Sequence, residues 1–293
     1  MKIYTIWNNH SKNGVSTITQ LLAMEYSKTH KDVFLVDASP SCDLSKRLLK
    51  SENNLETCIE TKSTISDLMI DSVSNKNVNL FKYTTQVSTF NKSVASNIYL
   101  IAGNDNSELI ARMADNKFGF KIRNILKNLF KENIKDGVMF IDGGSMMNPL
   151  SEIALLASDE IIIPFVDTLR GVRMLENSLN IIYSKGNDVL SIFGNRCREN
   201  DIRIPKVSNI IRNKVSIAPL ECTSVGKLAA RYDDDINMLS IPNDEVLIDC
   251  ITHSGKPFPN NIFRRNGQCF VIQTERLERI EKAFNFITQD AEK

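Results

Sequence analysis

The sequence lacks the features of a membrane or secreted protein. It contains no apolar run long enough to cross a membrane, and its apolar N-terminal stretch reaches a polar turn after only a few residues. A membrane-spanning helix needs about 20 consecutive apolar residues, and a signal peptide needs an apolar core of about 7–15. We therefore expect neither a membrane span nor a signal peptide, and we predict a cytoplasmic protein.

Net charge and metal-binding residues are also scarce. The 36 Lys and Arg residues nearly balance the 35 Asp and Glu residues, which leaves a net charge of +1. Any binding to nucleic acid or to an anionic membrane must therefore come from a local patch. The 6 cysteines are scattered without C-x-x-C spacing, and there are only 3 histidines. This pattern argues against a structural zinc site and a disulfide framework, and it fits reduced thiols in a cytosol.

Short apolar runs alternate with helical patterns along the chain. Such runs suit the buried strands of a parallel sheet. The predicted strands are 2–7, 32–37, 98–101, 138–141, 160–165, 206–211 and 236–240. This order predicts an α/β fold with a mostly parallel, doubly wound sheet in one domain over residues 1–293. The polar stretch 51–96, with one helical segment around Thr64 to Ile70, is interpreted as an insertion into that domain.

The first 45 residues organise the rest of the chain: a strand, a polar turn, a helix and a second strand with an acidic end. A strand that feeds a turn at a helix start is typical of a phosphate-binding loop, because backbone N–H groups and the helix dipole converge on an anion there. The full pattern is G-x-x-x-x-G-K-S/T. Without gaps, Gly14 is the second glycine and Ser16 the hydroxyl, whereas Asn9 and Val15 replace the first glycine and the lysine. The pattern alone therefore also fits an ordinary strand-turn-helix unit.

The segment resembles the start of ParA/MinD-type ATPases, whose deviant loop reads K-G-G-V-G-K-T-T and whose next strand ends D-x-D-P. Here the second strand ends with Asp37 to Pro40. Residues 138–145 resemble the family's third acidic strand, and residues 157–165 resemble its A-A-D-E-V-x-x-P strand. Residues 241–242 and 253–257 resemble its late I-P-R and S-x-G-K-P segments. The resemblance covers roughly the whole chain in order, and it implies a P-loop NTPase-like fold of the ParA/MinD type.

The resemblance also implies a site for ATP or ADP with magnesium. Gly14 would allow close backbone approach to the nucleotide, a hydroxyl at the helix start would meet magnesium, and two strand-end aspartates would orient the metal through water. The candidate nucleotide-binding residues are Lys12, Gly14, Val15, Ser16, Thr17, Asp37 and Asp142, and the candidate magnesium ligands among them are Ser16, Thr17, Asp37 and Asp142. Helix or turn capping is the structural alternative for the hydroxyl and carboxylate groups.

Three departures from the family pattern argue against hydrolysis. Val15 removes the charge-assisted bond of the loop lysine, worth about 1.5–3 kcal/mol. His10 stands where the family has a signature lysine that crosses a dimer interface; a two-residue gap would make Lys12 that lysine but would still leave no loop lysine. Ser39 replaces the second Asp of D-x-D-P, which positions the attacking water in this family. Because phosphoryl transfer depends on positioning and electrostatic stabilisation, we assign no catalytic residue.

Three functional hypotheses follow. The first is a degenerate ParA/MinD-like protein that dimerises and positions a plasmid or a secretion/pilus apparatus together with a protein partner, with little or no ATP hydrolysis; it has a partial likeness to CpaE/TadZ-type localisation proteins. The second is an active partition ATPase in which Lys12 replaces the loop lysine. The third is a nucleotide-free structural scaffold. Because the loops carry less positive charge than is usual, we expect a homodimer that depends little on ATP.

Two helical patterns lie outside this site. Residues 118–135 have the apolar spacing of an amphipathic helix, with a row of cations at every fourth position: Arg123, Lys127, Lys131 and Lys135. This basic row is interpreted as a solvated face or, alternatively, as a strip that binds DNA nonspecifically and in a salt-dependent way. Residues 275–289 are predicted to form a core helix.

Overall fold

The fold is described by a computed structural model for residues 1–29, 31–74, 78–118, 123–183, 192–215, 222–233, 235–242, 262–265 and 268–271. The predictions for residues 253–257 and for the helix at 275–289 lie outside these residues. All predicted strands are present. The strands are β1 (Lys2–Asn8), β2 (Val33–Asp37), β3 (Thr85–Gln86), β4 (Ile98–Ile101), β5 (Val138–Ser145), β6 (Glu160–Val166), β7 (Lys206–Val215), β8 (Asn237–Pro242), β9 (Ile262–Arg265) and β10 (Gln268–Val271).

Eight of these strands form one sheet in the order β3-β4-β2-β5-β1-β6-β7-β8. Neighbouring strands are parallel except for the edge pair β3 and β4. Strands β9 and β10 pair with each other as a separate antiparallel sheet. The predicted fold class, a mostly parallel α/β sheet, is therefore confirmed.

Helices cover both faces of the sheet. They are α1 (Val15–Ser27), α2 (Asp43–Leu49), α3 (Glu52–Glu60), α4 (Ile65–Ser74), α5 (Ser107–Phe118), α6 (Arg123–Asn133), α7 (Pro149–Ala157), α8 (Leu169–Tyr183), α9 (Ile192–Glu199) and α10 (Cys222–Ala230). Successive residues of β1 point to opposite faces: Tyr4 and Ile6 pack in the cluster that contains α1, and Ile3 packs in the cluster that contains α7. Both faces of the central strands are thus buried, which explains their continuous apolar sequence.

The strand order places a ligand crevice beside β1. From β1 the chain proceeds to β2 and β4 on one side of the sheet, and it later continues through β6, β7 and β8 on the other side. Ligands of doubly wound sheets bind outside the carboxyl ends of the strands at such a reversal point. The turn at residues 9–14, which connects β1 to α1, lies at this point.

The polar stretch 51–96 contains more regular structure than predicted. The helical segment around Thr64 to Ile70 is present as α4, but α3, β3 and two short 3-10 turns accompany it. The prediction of a single helical segment was therefore wrong. Only Leu55 and Cys58 of α3 are buried, so the apolar stripe of α3 is too narrow to stand out from its polar surroundings.

Of the amphipathic segment at 118–135, the structure describes Phe118 as part of α5 and residues 123–133 as α6. The apolar side of α6 is buried as predicted. Two members of the basic row have a structural partner: the Nζ atoms of Lys127 and Lys131 lie 3.3 Å and 2.6 Å from Asp159 Oδ1. These ion pairs connect α6 to the start of β6, and they favour a structural role for that part of the row over DNA binding.

The cysteines whose side chains the structure describes are Cys42, Cys58 and Cys197, and all three are buried. Cys42 and Cys58 are buried free thiols, and burial raises the pKa of Cys42 to about 12. Among the described residues, no group of three or more His, Cys, Asp or Glu side chains is placed to hold a metal ion. Within the same residues, no helix has both the length and the apolar character that crossing a membrane requires.

Candidate functional site

The turn between β1 and α1 leaves the start of α1 uncapped. Gly14 precedes α1 with φ 88°, and no side chain caps the helix. This left-handed conformation suits glycine because other residues are strained there. A Cβ atom at Gly14 would also collide with the side-chain amide of Asn213 on β7. Residues 14–17 line a cavity of about 600 Å³, so this cavity lies at a helix N-terminus that has no capping side chain.

Asparagine side chains fix the turn in place. Asn13 Oδ1 accepts a hydrogen bond from the Val166 N–H at 3.2 Å, and Asn13 Nδ2 donates to the His10 carbonyl at 2.9 Å. Asn213 Nδ2 donates to the Asn13 carbonyl at 3.2 Å. Asn8, at the end of β1, accepts the His10 N–H through Oδ1 at 2.8 Å. The turn is therefore bonded to β6 and β7 as well as to β1.

Lys12 has a backbone conformation that glycine adopts more easily. Its φ is 67°, and its exposed side chain lines the cavity. The ungapped alignment puts Lys12 at a glycine of the family loop, so this conformation agrees with that alignment rather than with the gapped one. His10, at the signature-lysine position of the ungapped alignment, lines the same cavity. Among the described residues, its Nε2 atom has no hydrogen-bond partner.

Val15 belongs to the core. Its side chain is 8% exposed and packs in the apolar cluster of α1. Val15 brings no charge to the cavity, so its backbone N–H is the group that could contact a phosphate.

Asp37 and Asp142 lie side by side beneath the turn. They are register partners, Asp37 at the end of β2 and Asp142 within β5, and both are fully buried. Ser45 donates to Asp37 Oδ2 through its hydroxyl at 2.7 Å and its N–H at 2.8 Å. Asp142 Oδ1 accepts the Gly144 N–H at 2.9 Å, but Asp142 Oδ2 has no hydrogen-bond partner among the described residues. The two carboxylates do not line the cavity wall.

The burial of these two acids favours their protonated forms. Burial raises the pKa of Asp142 from 3.8 to about 7, and the charge of Asp37 adds to the rise, whereas the Ser16 hydroxyl, the Gly144 N–H and Arg47 oppose it. Burial likewise raises the pKa of Asp37 to about 6 despite its hydrogen bonds from Ser45. A cation near Oδ2 of Asp142 would return this acid to its ionised form. The pair therefore suits a cation that binds beneath the turn.

The two hydroxyl groups at the start of α1 have different neighbours. Ser16 is close enough to Asp142 to lower the pKa of that carboxyl. Thr17 Oγ1 accepts a hydrogen bond from Nη1 of Arg47, on α2, at 2.8 Å. Of the two hydroxyl candidates for magnesium, Ser16 is thus next to the Asp142 carboxyl, and Thr17 is next to a guanidinium.

Ser39 begins a short chain of hydrogen bonds that ends at an acid. The hydroxyls of Ser39 and Ser41 are 3.0 Å apart, and Ser41 donates to Asp43 Oδ2 at 2.9 Å. All three residues line the cavity. A carboxylate is therefore present in the cavity wall, although Ser39 itself supplies none.

A second cavity of about 850 Å³ adjoins the turn on its other side. It shares residues 10–13 with the first cavity and continues along residues 146–149 and the start of α8. Two large apolar side chains are exposed in this region: Met146 at 64% and Leu169 at 74%. The turn thus separates a polar cavity from a larger one beside exposed apolar side chains.

The structure therefore brings the seven candidate residues to one place, with five in the cavity wall and the two aspartates behind it. Sequence reasoning missed Arg47, Asp43 and Asn213. The first two follow the second acidic strand within one short helix, and a search for charged residues there could have found them. Asn213 is 200 residues from its partner Asn13, and no local signal identifies it.

Comparisons with known proteins agree with this fold. A family model described as AAA domain matches residues 1–192. A comparison of the sequence with curated proteins finds no significant match. An ATP complex of McdA from Cyanothece has a TM-score of 0.71 at 16% identity, with 99% of this chain and 95% of that chain covered.

Two further solved structures extend this likeness. The septum site-determining protein MinD from Pyrococcus horikoshii, complexed with Mg-ADP, has a TM-score of 0.60 at 15% identity, with 100% and 96% covered. A plasmid partition protein from Borrelia burgdorferi has a TM-score of 0.56 at 19% identity, with 87% and 96% covered. The family match and these shared folds together place the chain among the ParA/MinD-type Walker ATPases, in the AAA domain family.

Proposed function

We propose that this protein binds ATP or ADP with magnesium and acts as a positioning or partition factor, with little or no hydrolysis. One observation carries the proposal: the uncapped start of α1 lines a cavity directly in front of a buried carboxylate oxygen without a partner. Backbone N–H groups at a helix start favour phosphate, and an unpaired buried carboxylate favours a cation. McdA with ATP and MinD with Mg-ADP share this fold, which supports the same class of ligand here.

The residues present fit a magnesium nucleotide. Ser16 would hold the metal directly, and Asp142 would hold it through water, while residues 14–17 would surround the phosphates. The metal would neutralise phosphate charge that Val15 leaves without a partner. Thr17 fits a metal less well than Ser16, because its hydroxyl already accepts a bond from a cation, Arg47.

Calorimetric titration with ADP, with and without magnesium, tests this assignment. We expect binding that magnesium strengthens in the wild-type protein and in the control variant Ser93→Ala, because Ser93 is exposed and outside the cavity. We expect Ser16→Ala to lose most of the strengthening by magnesium. The absence of nucleotide binding at millimolar concentration would contradict the proposal and favour the nucleotide-free scaffold.

The described wall of the same cavity lacks two groups that ATP hydrolysis would need. Val15 is uncharged and packed in the core, and Ser39 supplies no carboxylate to orient water. We expect phosphate release below about 10⁻⁴ per second, slower than an unassisted GTPase. Steady release at the rates of ordinary family members, abolished by Asp142→Ala, would contradict this expectation.

One observation favours the active ATPase as the second candidate. Asp43 lies in the cavity wall at the end of the hydrogen-bond chain from Ser39 and Ser41, where a carboxylate could orient water. If turnover is measurable and Asp43→Asn removes it while ADP affinity is kept, the active ATPase becomes the better reading of this site.

A homodimer is part of the proposal. The exposed Met146 and Leu169 lie near the turn that faces the second subunit in the family arrangement, so apolar contacts are available there without nucleotide. The partner protein would belong to a plasmid partition or a secretion/pilus system. Sedimentation at matched concentrations should give the same concentration-dependent dimer with and without ATP. If the protein were instead a monomer that dimerises only with ATP, Lys12 would have the role of the missing family lysine.

A further inference from the structure

We infer that Arg47 supplies the positive charge that the phosphate loop lacks, and that it contacts the phosphates of a bound nucleoside diphosphate or triphosphate. The inference deepens the proposed function and rests on it. Arg47 lies on α2, and its Nη1 atom donates to Thr17 Oγ1 at 2.8 Å. Thr17 is in the first turn of α1, so the guanidinium is held beside the helix N-terminus where phosphates would bind.

The surroundings of Arg47 leave it available to a ligand. Its side chain is partly exposed and lines the cavity together with residues 14–17. Within the described part of the chain, Arg47 forms no ion pair, and its one hydrogen bond is to Thr17. A guanidinium has five donor N–H groups in a planar fork that matches two phosphate oxygens. A neutral hydroxyl therefore anchors Arg47, and several of its donors stay free for an anion.

The other charged residues in the cavity wall do not replace it. Asp43 is acidic and would repel phosphate. Lys12 is exposed and lines both cavities, but no hydrogen bond to another described residue holds its side chain in place. Arg47 is thus the cation whose position in the cavity is fixed by a specific contact. Its charge also reaches the buried acids behind the turn, since it lowers the pKa of Asp142.

The position of Arg47 predicts how its effect should depend on the ligand. A cation that contacts phosphate groups should matter for ATP and ADP and should not matter for adenosine. A charge-assisted hydrogen bond of this kind corresponds to about tenfold to hundredfold in affinity. A residue that only supported the fold would change the affinity for all three ligands alike.

Fluorescence titration with ATP, ADP and adenosine analogues tests the inference on the full chain. We expect Arg47→Gln and Arg47→Met to weaken ATP and ADP binding about tenfold to hundredfold and adenosine binding less than about twofold. Arg47→Lys keeps the charge and should recover part of the loss. The matched control is Lys46→Gln, which removes an exposed cation of the same helix outside the cavity and should bind ATP like the wild type. Thermal unfolding of each variant checks that it is folded.

The outcomes separate this inference from the proposed function. If the wild-type protein binds no nucleotide, the proposed function fails, and the inference fails with it. If the wild type binds ATP and a folded Arg47→Gln or Arg47→Met variant binds it equally well, only the role of Arg47 is wrong. Equal losses for ATP and adenosine would also overturn the inference, because they would assign Arg47 a structural role.

Discussion

Replacing Asp142 by Asn should stabilise the ligand-free protein at neutral and alkaline pH. Asp142 is fully buried, its Oδ2 atom has no hydrogen-bond partner among the described residues, and its pKa is raised from 3.8 to about 7. An amide keeps the acceptor for the Gly144 N–H and brings no charge beside Asp37. The amide still offers an acceptor oxygen to the Gly144 N–H and to the nearby Ser16 hydroxyl, so little hydrogen bonding is lost, whereas the cost of a buried charge is removed.

The pH dependence of the free energy of unfolding follows from the raised pKa of Asp142. Between pH 4 and pH 7 the folded protein binds more protons than the unfolded chain, because the folded pKa of Asp142 lies above 3.8. Its contribution to stability is therefore fully present below about pH 4 and is lost as the pH rises through about 7. One pH unit between the two pKa values corresponds to about 1.4 kcal/mol, so between pH 4 and pH 8 the wild type should lose on the order of 4 kcal/mol of stability relative to the variant.

Urea unfolding at pH 5 and pH 8 measures this difference. We expect the wild-type free energy of unfolding to fall more steeply between these values than that of Asp142→Asn. Asp105→Asn is the matched control, because Asp105 is exposed and should leave the pH dependence unchanged. The prediction would be contradicted by a variant that is less stable than the wild type at pH 8, or by one with the same pH dependence. Either result would show that interactions beyond the described contacts offset the cost of burying the Asp142 charge.

Three further predictions concern single contacts. Gly14→Ala should destabilise the protein by about 1–3 kcal/mol, because a side chain is strained at φ 88° and collides with Asn213; an unchanged urea midpoint would contradict this. Asp167→Ala removes the carboxylate 2.8 Å from buried Arg212 Nη2 and should cost about 3–5 kcal/mol, part of which Arg212→Met should recover in the double variant. Charge reversal of the two paired lysines in the basic row should lower thermal stability slightly without changing retention on DNA; lost retention in a folded variant would restore the DNA-binding interpretation.

The fold could be predicted well because its signals are local. The central strands are short apolar runs, and both faces of each are covered by helices, so burial follows directly from composition. The juxtaposition of Asp37 and Asp142 was also predictable, since the carboxyl ends of parallel strands meet at one edge of the sheet. Their register pairing agrees with this. What the sequence did not indicate was that both acids lie behind the cavity wall rather than in it.

The contacts that define the cavity were harder to predict because they join distant residues. Arg47 reaches Thr17 across 30 positions, and Asn213 reaches Asn13 across 200. Each contact depends on how a helix or strand is oriented on the sheet, which no single segment encodes. For the same reason, comparison with a family loop showed which charge was missing at Val15 but could not show that Arg47 lies beside the same turn.

We expect dimerisation not to depend on ATP, and this expectation has a consequence for the affinity for ATP. If the dimer forms equally with and without ATP, then monomer and dimer must bind ATP with equal affinity, because coupling between two binding equilibria is reciprocal. The dissociation constant for ATP should therefore be the same at protein concentrations below and above the midpoint of dimerisation. If Arg47 neutralises phosphate within its own subunit, as we infer from its position beside Thr17, no residue of a second subunit is needed. An affinity that rises with protein concentration would mean that a second subunit contacts the nucleotide. Lys12, the other cation in the cavity wall, would then be the residue to replace.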